Sequence, residues 1–163
     1  MTKHLIFMRH AKSDWDAPQA GDHDRPLNRR GRGAADHMAD WLEQHGYVPQ
    51  RVLCSSAVRT RETLQRMAAR WSQDVDAQYR DELYLAAPER LLNSVCSEGG
   101  SADTLMVLAH NPGLEAVVQR LTRTYQPFPT AAVAVFEMQL DAWSNLDVDG
   151  GHRLLAVQRP KEL

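Results

Sequence analysis

Short unbroken apolar runs alternate along the first three quarters of the chain with segments whose apolar positions recur at helical spacing. Leu5 to Met8, Arg51 to Cys54 and Thr104 to Ala109 are the clearest runs. Continuous apolar stretches of this length suit parallel strands buried on both faces. Val75 to Tyr79 forms a weaker candidate strand. Between the runs, Ala35, Met38, Ala39 and Leu42 share one helical face, as do Val58, Leu64, Met67, Ala68 and Trp71. Leu91, Leu92 and Val95, after Pro88, and Leu114, Val117, Val118 and Leu121, after Asn111-Pro112-Gly113, mark two more helices. Asn28 is suited to cap the first helix, although Gly31 and Gly33 weaken its start, and Gly46 to end it. Ser55-Ser56 offer hydroxyls for capping the second.

Thr130 to Met138 and Leu154 to Gln158 have strand composition, with a turn at Asp149-Gly150-Gly151 before the second. The alternation predicts an α/β fold: a three-layer α/β/α sandwich whose central sheet is mostly parallel, with an antiparallel excursion at the C-terminal end. No linker or repeat divides the sequence, so residues 1–163 are expected to form a single domain. Arg9 through Arg30 is rich in Asp, Pro, Gly and Asn, and its length predicts a functional loop.

A formal charge of −2, with 25% charged residues, supplies no global attraction to nucleic acid or to an anionic membrane. Anion recognition must then come from local positive groups. No segment approaches the roughly 20 apolar residues that cross a bilayer. Met1 to His10 is too short for a signal peptide and runs into a charged loop, so a cytoplasmic location is expected. Cys54 and Cys96 lack the spacing of a metal knuckle or a disulfide framework and read as core thiols.

Three basic sites occupy one kind of architectural position. Arg9-His10 follows the first strand, Arg59 begins the helix after the second, and His110 follows the strand ending at Ala109. Ligands of open parallel sheets bind outside the carboxyl ends of the strands, where these groups would converge. Taken singly, an arginine there can be a solvated salt-bridge partner and a histidine an ordinary loop residue. Together they specify an anion pocket.

The string Leu5 to Ser13, with Arg9-His10-Ala11 where Arg-His-Gly is usual, resembles the signature of the histidine phosphatase superfamily, which also holds the cofactor-dependent phosphoglycerate mutases. Asp14-Trp15, Asp22 to Asn28, Cys54 to Thr63, Asp81 to Tyr84 and His110 to Gly113 extend the likeness to short SixA-type phosphohistidine phosphatases. The resemblance implies that His10 is transiently phosphorylated, that Arg9 and Arg59 bind phosphoryl oxygens, and that His110 is a further donor. It makes Ser13 a candidate phosphate ligand, and the placement of Asn111 at a helix start makes it another. Glu82 lies near the region where larger family members place a general acid; surface solvation is its alternative role. Arg25 and Arg61 are candidates for the substrate rim, and Tyr84 for a pocket wall.

His10 must attack through an unprotonated nitrogen, which neighbouring arginines favour and a carbonyl of the following loop would orient. Asp14, Asp16, Asp22 and Asp24 read as a solvated loop, so neither a metal nor another cofactor is expected. Little chain is left for a cap, and an open pocket suits phosphohistidine carried on a protein. The expected partner is therefore a phosphohistidine-bearing protein or a small phosphorylated substrate. A small-molecule phosphomonoesterase is the second enzyme reading, and a non-catalytic phosphoprotein-binding module the third.

Overall fold

In the computed structural model, which describes residues 1–16 and 21–162, six strands form one sheet with spatial order β3-β2-β4-β1-β5-β6. The strands are β1 (Thr2–Arg9), β2 (Arg51–Ser55), β3 (Asp76–Arg80), β4 (Thr104–Ala109), β5 (Val133–Gln139) and β6 (His152–Gln158). The helices are α1 (Arg29–Gln44), α2 (Val58–Ala68), α3 (Pro88–Glu98) and α4 (Gly113–Thr122). β1 to β4 pair in parallel, β5 runs antiparallel to β1, and β6 antiparallel to β5.

Successive strand residues feed opposite layers. Leu5 and Phe7 of β1, Leu105 and Val107 of β4, and Ala134 and Phe136 of β5 pack with α3 and α4. Ile6 and Met8, Met106 and Leu108, and Val133 and Val135 pack with α1 and α2. Both faces are covered, which explains why the strands read as continuous apolar runs.

Three local expectations change. The first helix starts at Arg29, directly after Asn28, whose side chain accepts from Gly31 N at 2.8 Å. Gly31 does not weaken that start; it permits close packing, since a Cβ there would lie 2.0 Å from Lys12 O. The serines before α2 do not cap it. Ala57 is the N-cap without a side-chain bond, while the Ser55 and Ser56 hydroxyls lie 2.7 Å from His110 Nε2 and 3.0 Å from His23 Nε2. β5 begins at Val133 rather than Thr130 because Ala131, at φ +65°, donates its N–H to Arg9 O and His10 O, at 3.1 and 2.9 Å. Residues 128–132 thereby wrap the end of β1 instead of extending the strand.

Cys54 is buried, but Cys96 is only partly so. The loop between β1 and α1 is tied by a bridge between Ser13 and Leu27, and by Lys12 O accepting from Asn28 N at 3.0 Å. Residues 17–20 of that predicted loop lie outside the described residues.

Two glycine substitutions in α1 should therefore have opposite signs. Gly33→Ala, with nothing within 4 Å of the new Cβ, should stabilise by up to about 1 kcal/mol through helix propensity. Gly31→Ala should destabilise by about 1–3 kcal/mol, because the Lys12 backbone must move. Urea denaturation of both variants measures the difference.

Candidate active site

β1, β2 and β4 run in the same direction, so their carboxyl ends open onto one edge of the sheet. β5 enters the sheet at that edge, since Val133 stands opposite Met8, and β6 leaves there, since Gln158 stands opposite Val133. Chain leaving β1, β4 and β6 and chain entering β5 therefore converge. A cavity of about 530 Å³ lies among them.

Arg9, His10, Arg59 and His110, which the strand exits suggested, all line this cavity. His10 is 5% exposed and places Nδ1 2.7 Å from the carbonyl oxygen of Ala11. A carbonyl only accepts, so Nδ1 carries the proton and Nε2 keeps its lone pair. Arg59 Nε, which can only donate, approaches that Nε2 at 3.3 Å. Burial pushes the His10 pKa down to about 3, with Arg59, Arg9 and Arg25 adding to the shift and the Ala11 carbonyl opposing it.

His110 is tilted against His10 with ring centroids 5.2 Å apart. Its Nε2 lies 2.7 Å from Ser55 Oγ, which also accepts from Ala57 N at 3.3 Å. Among the described residues the Ser55 hydroxyl has no other acceptor, so it donates to His110 Nε2 and leaves the proton on Nδ1. That Nδ1 is buried without a partner, as is Arg9 Nε. Both groups retain unspent hydrogen-bonding capacity at the cavity. Burial, then His10 and Arg59, push the His110 pKa down to about 2, so both rings are neutral at pH 7.

The arginines are anchored from behind. Arg59, 2% exposed, donates to the Asp22 backbone oxygen at 2.6 Å and to Asp22 Oδ2 at 3.2 Å. Arg9 donates from Nη1 to Phe128 O at 3.3 Å, and burial lowers its pKa from the ordinary guanidinium range. Arg25, expected at the rim, is instead 7% exposed within the cavity wall. It donates to Ser13 Oγ at 2.8 Å and Asp22 Oδ1 at 2.7 Å, and its guanidinium stacks 3.6 Å from the Trp15 ring. Ser13 also lines the cavity; its lone pair is engaged by Arg25 and its proton remains to donate.

Asp22 belongs to this constellation rather than to a solvated acidic loop. Its carboxylate accepts from Arg25, Arg59 and the Tyr84 hydroxyl, and these bonds, the tyrosine's foremost, pull its pKa down to about 2. Burial and the Asp22 carboxylate push the Tyr84 phenol above its usual range. Tyr84, expected at a pocket wall, stands edge-on to His110 with 5.5 Å between centroids but is outside the cavity lining, so it backs the site through His110 and Asp22.

Other candidates fall elsewhere. Asn111 lines the cavity, but its amide donates to Phe128 O at 2.9 Å and its oxygen accepts from Glu115 N at 3.2 Å, so it braces the loop. Glu82 is exposed and outside the cavity lining, as is Arg61, which stacks over Tyr79 at 5.6 Å. Sequence patterning missed Lys12, Arg30 and Lys161, which also face the cavity. Among the described residues, no group of three or more His, Cys, Asp and Glu side chains could hold a metal ion. The arrangement provides a neutral imidazole with its Nε2 lone pair free of a proton, surrounded by fixed donors suited to a tetrahedral anion.

Residues 5–84 match the family model of the histidine phosphatase superfamily (branch 1). The structure assigned as a phosphohistidine phosphatase SixA from Nakamurella multipartitia aligns with TM-score 0.83 and 31% identity, covering 98% of this chain and 97% of that one. A protein histidine phosphatase SixA complexed with tungstate aligns with TM-score 0.75 and 25% identity, covering 98% of each chain. An uncharacterized Mycobacterium tuberculosis protein is 35% identical over 142 residues, which are 80% of this chain and 87% of the relative. The chain belongs to the histidine phosphatase superfamily, branch 1, and within it to the SixA type.

Proposed function

We propose that the protein hydrolyses phosphohistidine carried on a protein, through an intermediate phosphorylated on His10 and without a metal. The observation that carries this reading is the His10 tautomer: Nδ1–H held by Ala11 O, with the Nε2 lone pair facing the Arg59 guanidinium. An incoming phosphoryl group takes over the Arg59 donor and frees Nε2 to attack. The P–N bond to the substrate imidazole then breaks as the His10 Nε2–P bond forms. A donor imidazole protonated on its far nitrogen leaves as a neutral molecule, so this step needs no separate acid. Arg9 and Arg59 neutralise charge on the equatorial oxygens, with the unpartnered His110 Nδ1–H as a neutral donor beside them.

In the second step water attacks phosphorus, the His10 N–P bond breaks, and inorganic phosphate leaves. The positive charge of phospho-His10 is eased throughout by Nδ1–H donating to Ala11 O. Leaving-group chemistry supports phosphohistidine over an alcohol ester: Glu82, the candidate acid with surface solvation as its alternative role, is exposed and outside the cavity lining. The SixA structures that align support the same class. A small-molecule phosphomonoesterase is the second reading, favoured by a cavity of about 530 Å³, a size typical of small-ligand sites. A short cap supports access by a protein donor, with Leu85 the cavity residue between β3 and α3. We place the activity in the cytoplasm, where the free thiols Cys54 and Cys96 suit reducing conditions.

Rapid quench of enzyme mixed with a phosphohistidine protein should show an acid-labile phosphoenzyme that disappears in His10→Ala. That variant should lose turnover by on the order of 10⁴-fold or more while retaining much of its phosphate affinity. Arg59→Ala should lose about 10²–10³-fold in turnover and also bind phosphate more weakly. Normal turnover by His10→Ala would overturn the mechanism. A panel of phosphohistidine proteins, free phosphohistidine and phosphate esters, assayed without metal, separates the two substrate readings.

The depressed histidine pKa fixes the pH response. The folded state resists protonation of His10 down to about pH 3, whereas an unfolded histidine takes its proton near 6.5. The neutral ring's contribution to stability is therefore complete above pH 6.5 and is lost progressively as pH falls from there toward 3. Thermal denaturation should show falling stability across that window, with a shallower fall in His10→Ala. Activity per folded molecule should show no limb near pH 6.5 from His10 itself, which pH-dependent kcat/KM measures.

A further inference from the structure

The cavity is far more positive than catalysis at one phosphoryl group requires. Arg9, Arg25 and Arg59 surround the inner site with Asp22 as the one carboxylate in the lining, and Lys12, Arg30 and Lys161 add three exposed cations to the same lining. Among the described residues no side-chain carboxylate lies within ion-pair distance of these three. The two aspartates of α1 point away to other cations: Asp36 pairs with Arg66 at 2.6 Å and Asp40 with Arg70 at 2.7 Å. Three cations without a side-chain carboxylate partner among the described residues thus meet in one cavity lining.

Three separate pieces of backbone bring these cations together. Lys12 follows the nucleophile, and the close contact of Gly31 with its peptide pins it beneath the first turn of α1. That contact sets Lys12 beside the turn carrying Arg30. The first turn contains no acidic residue, so a cation stands at the helix end where the backbone dipole already favours anions. Lys161 arrives from the opposite side, on the short 3₁₀ turn Pro160–Glu162 that follows β6. Arg159 fixes the start of that turn, donating from Nε to Pro127 O at 2.8 Å. An arrangement that strains local electrostatics without internal compensation is suited to an anion from outside.

We propose that Lys12, Arg30 and Lys161 form an outer anion subsite, and that the physiological substrate carries a second anionic group, carboxylate or phosphate, beside the phosphoryl group delivered to His10. This deepens the phosphatase reading and rests on it. The same chemistry is offered by glutamates flanking a phosphohistidine on a protein and by a carboxylate on a small phosphorylated molecule. The Lys12, Arg30 and Lys161 side chains are exposed, so alanine in their place should leave folding intact.

The test compares two matched substrate pairs: phosphohistidine peptides flanked by Glu or by Gln, and phenyl phosphate with or without a para carboxylate. The proteins are the natural chain, Arg30→Ala/Lys161→Ala, and Arg90→Ala, which removes a cation remote from the cavity on α3. The natural enzyme should prefer the acid-bearing member of at least one pair by about fivefold or more in kcat/KM, expressed in KM and weakened by salt. That preference should shrink to within about twofold in Arg30→Ala/Lys161→Ala and persist in Arg90→Ala. The pair showing it identifies the source of the second anion. The same pairs titrated by calorimetry into His10→Ala proteins read affinity without turnover, so a preference seen there in an enzyme that turns over nothing upholds the subsite while the phosphatase reading fails. No preference in either assay, or equal loss in Arg90→Ala, would overturn the subsite.

Discussion

The carbonyl oxygen of Ala11, 2.7 Å from His10 Nδ1, decides which nitrogen of a buried imidazole is free to react. The rest of the site depends on that choice. With the proton on Nδ1, the lone pair on Nε2 can accept from Arg59, and the proposed phosphoryl-binding guanidinium and nucleophile become aligned in one contact. The Ala11 peptide is itself fixed, because its N–H donates to Thr63 Oγ1 at 3.0 Å and that hydroxyl donates to Arg59 O at 2.7 Å. One side chain on α2 thus couples the position of His10 to the helix that carries Arg59.

Concentrating guanidinium charge beside two histidines has a cost, and the structure shows how it is met. Burial, with the neighbouring guanidiniums adding to it, keeps both rings neutral, so the histidines add no charge. Arg59 and Arg25 share the Asp22 carboxylate, and Arg59 and Arg9 also use backbone oxygens of Asp22 and Phe128. Guanidinium is weakly hydrated and forms several directed bonds, which makes arginine better suited than lysine to such a buried setting. The lysines accordingly remain at the exposed part of the cavity. Asp22 holds Arg59 through Nη1 and Nη2, which leaves Nε directed at His10 Nε2.

Much of this was legible in the sequence. Runs such as Leu105 to Ala109 are apolar because both sheet faces are buried, and that pattern located the strands and hence their carboxyl ends. Arg9, His10, Arg59 and His110 stand close to those ends in sequence, so their convergence followed from parallel pairing. Asp22, Arg25, Lys12 and Arg30 depend on how an irregular loop folds back on β1, which has no period to read. Arg25 looked like a rim residue because arginine is usually exposed; here Ser13, Asp22 and the Trp15 ring together accommodate its burial. Lys161 required the sense of two strand pairings. Since β5 opposes β1 and β6 opposes β5, β6 runs with β1 and its carboxyl end reaches the same cavity. Ser55, which resembled a helix cap, orients His110 because the chain turns toward the neighbouring strand's exit before α2 begins.

The chemistry of the site turns on the protonation and tautomer of His10, which nitrogen-15 chemical shifts of the imidazole report without any substrate. The structure predicts a neutral ring with the proton on Nδ1 and a bare Nε2, retained from pH 8 to below pH 5 while the protein stays folded. A ring that becomes imidazolium near pH 6.5, or a neutral ring with its proton on Nε2, would contradict it.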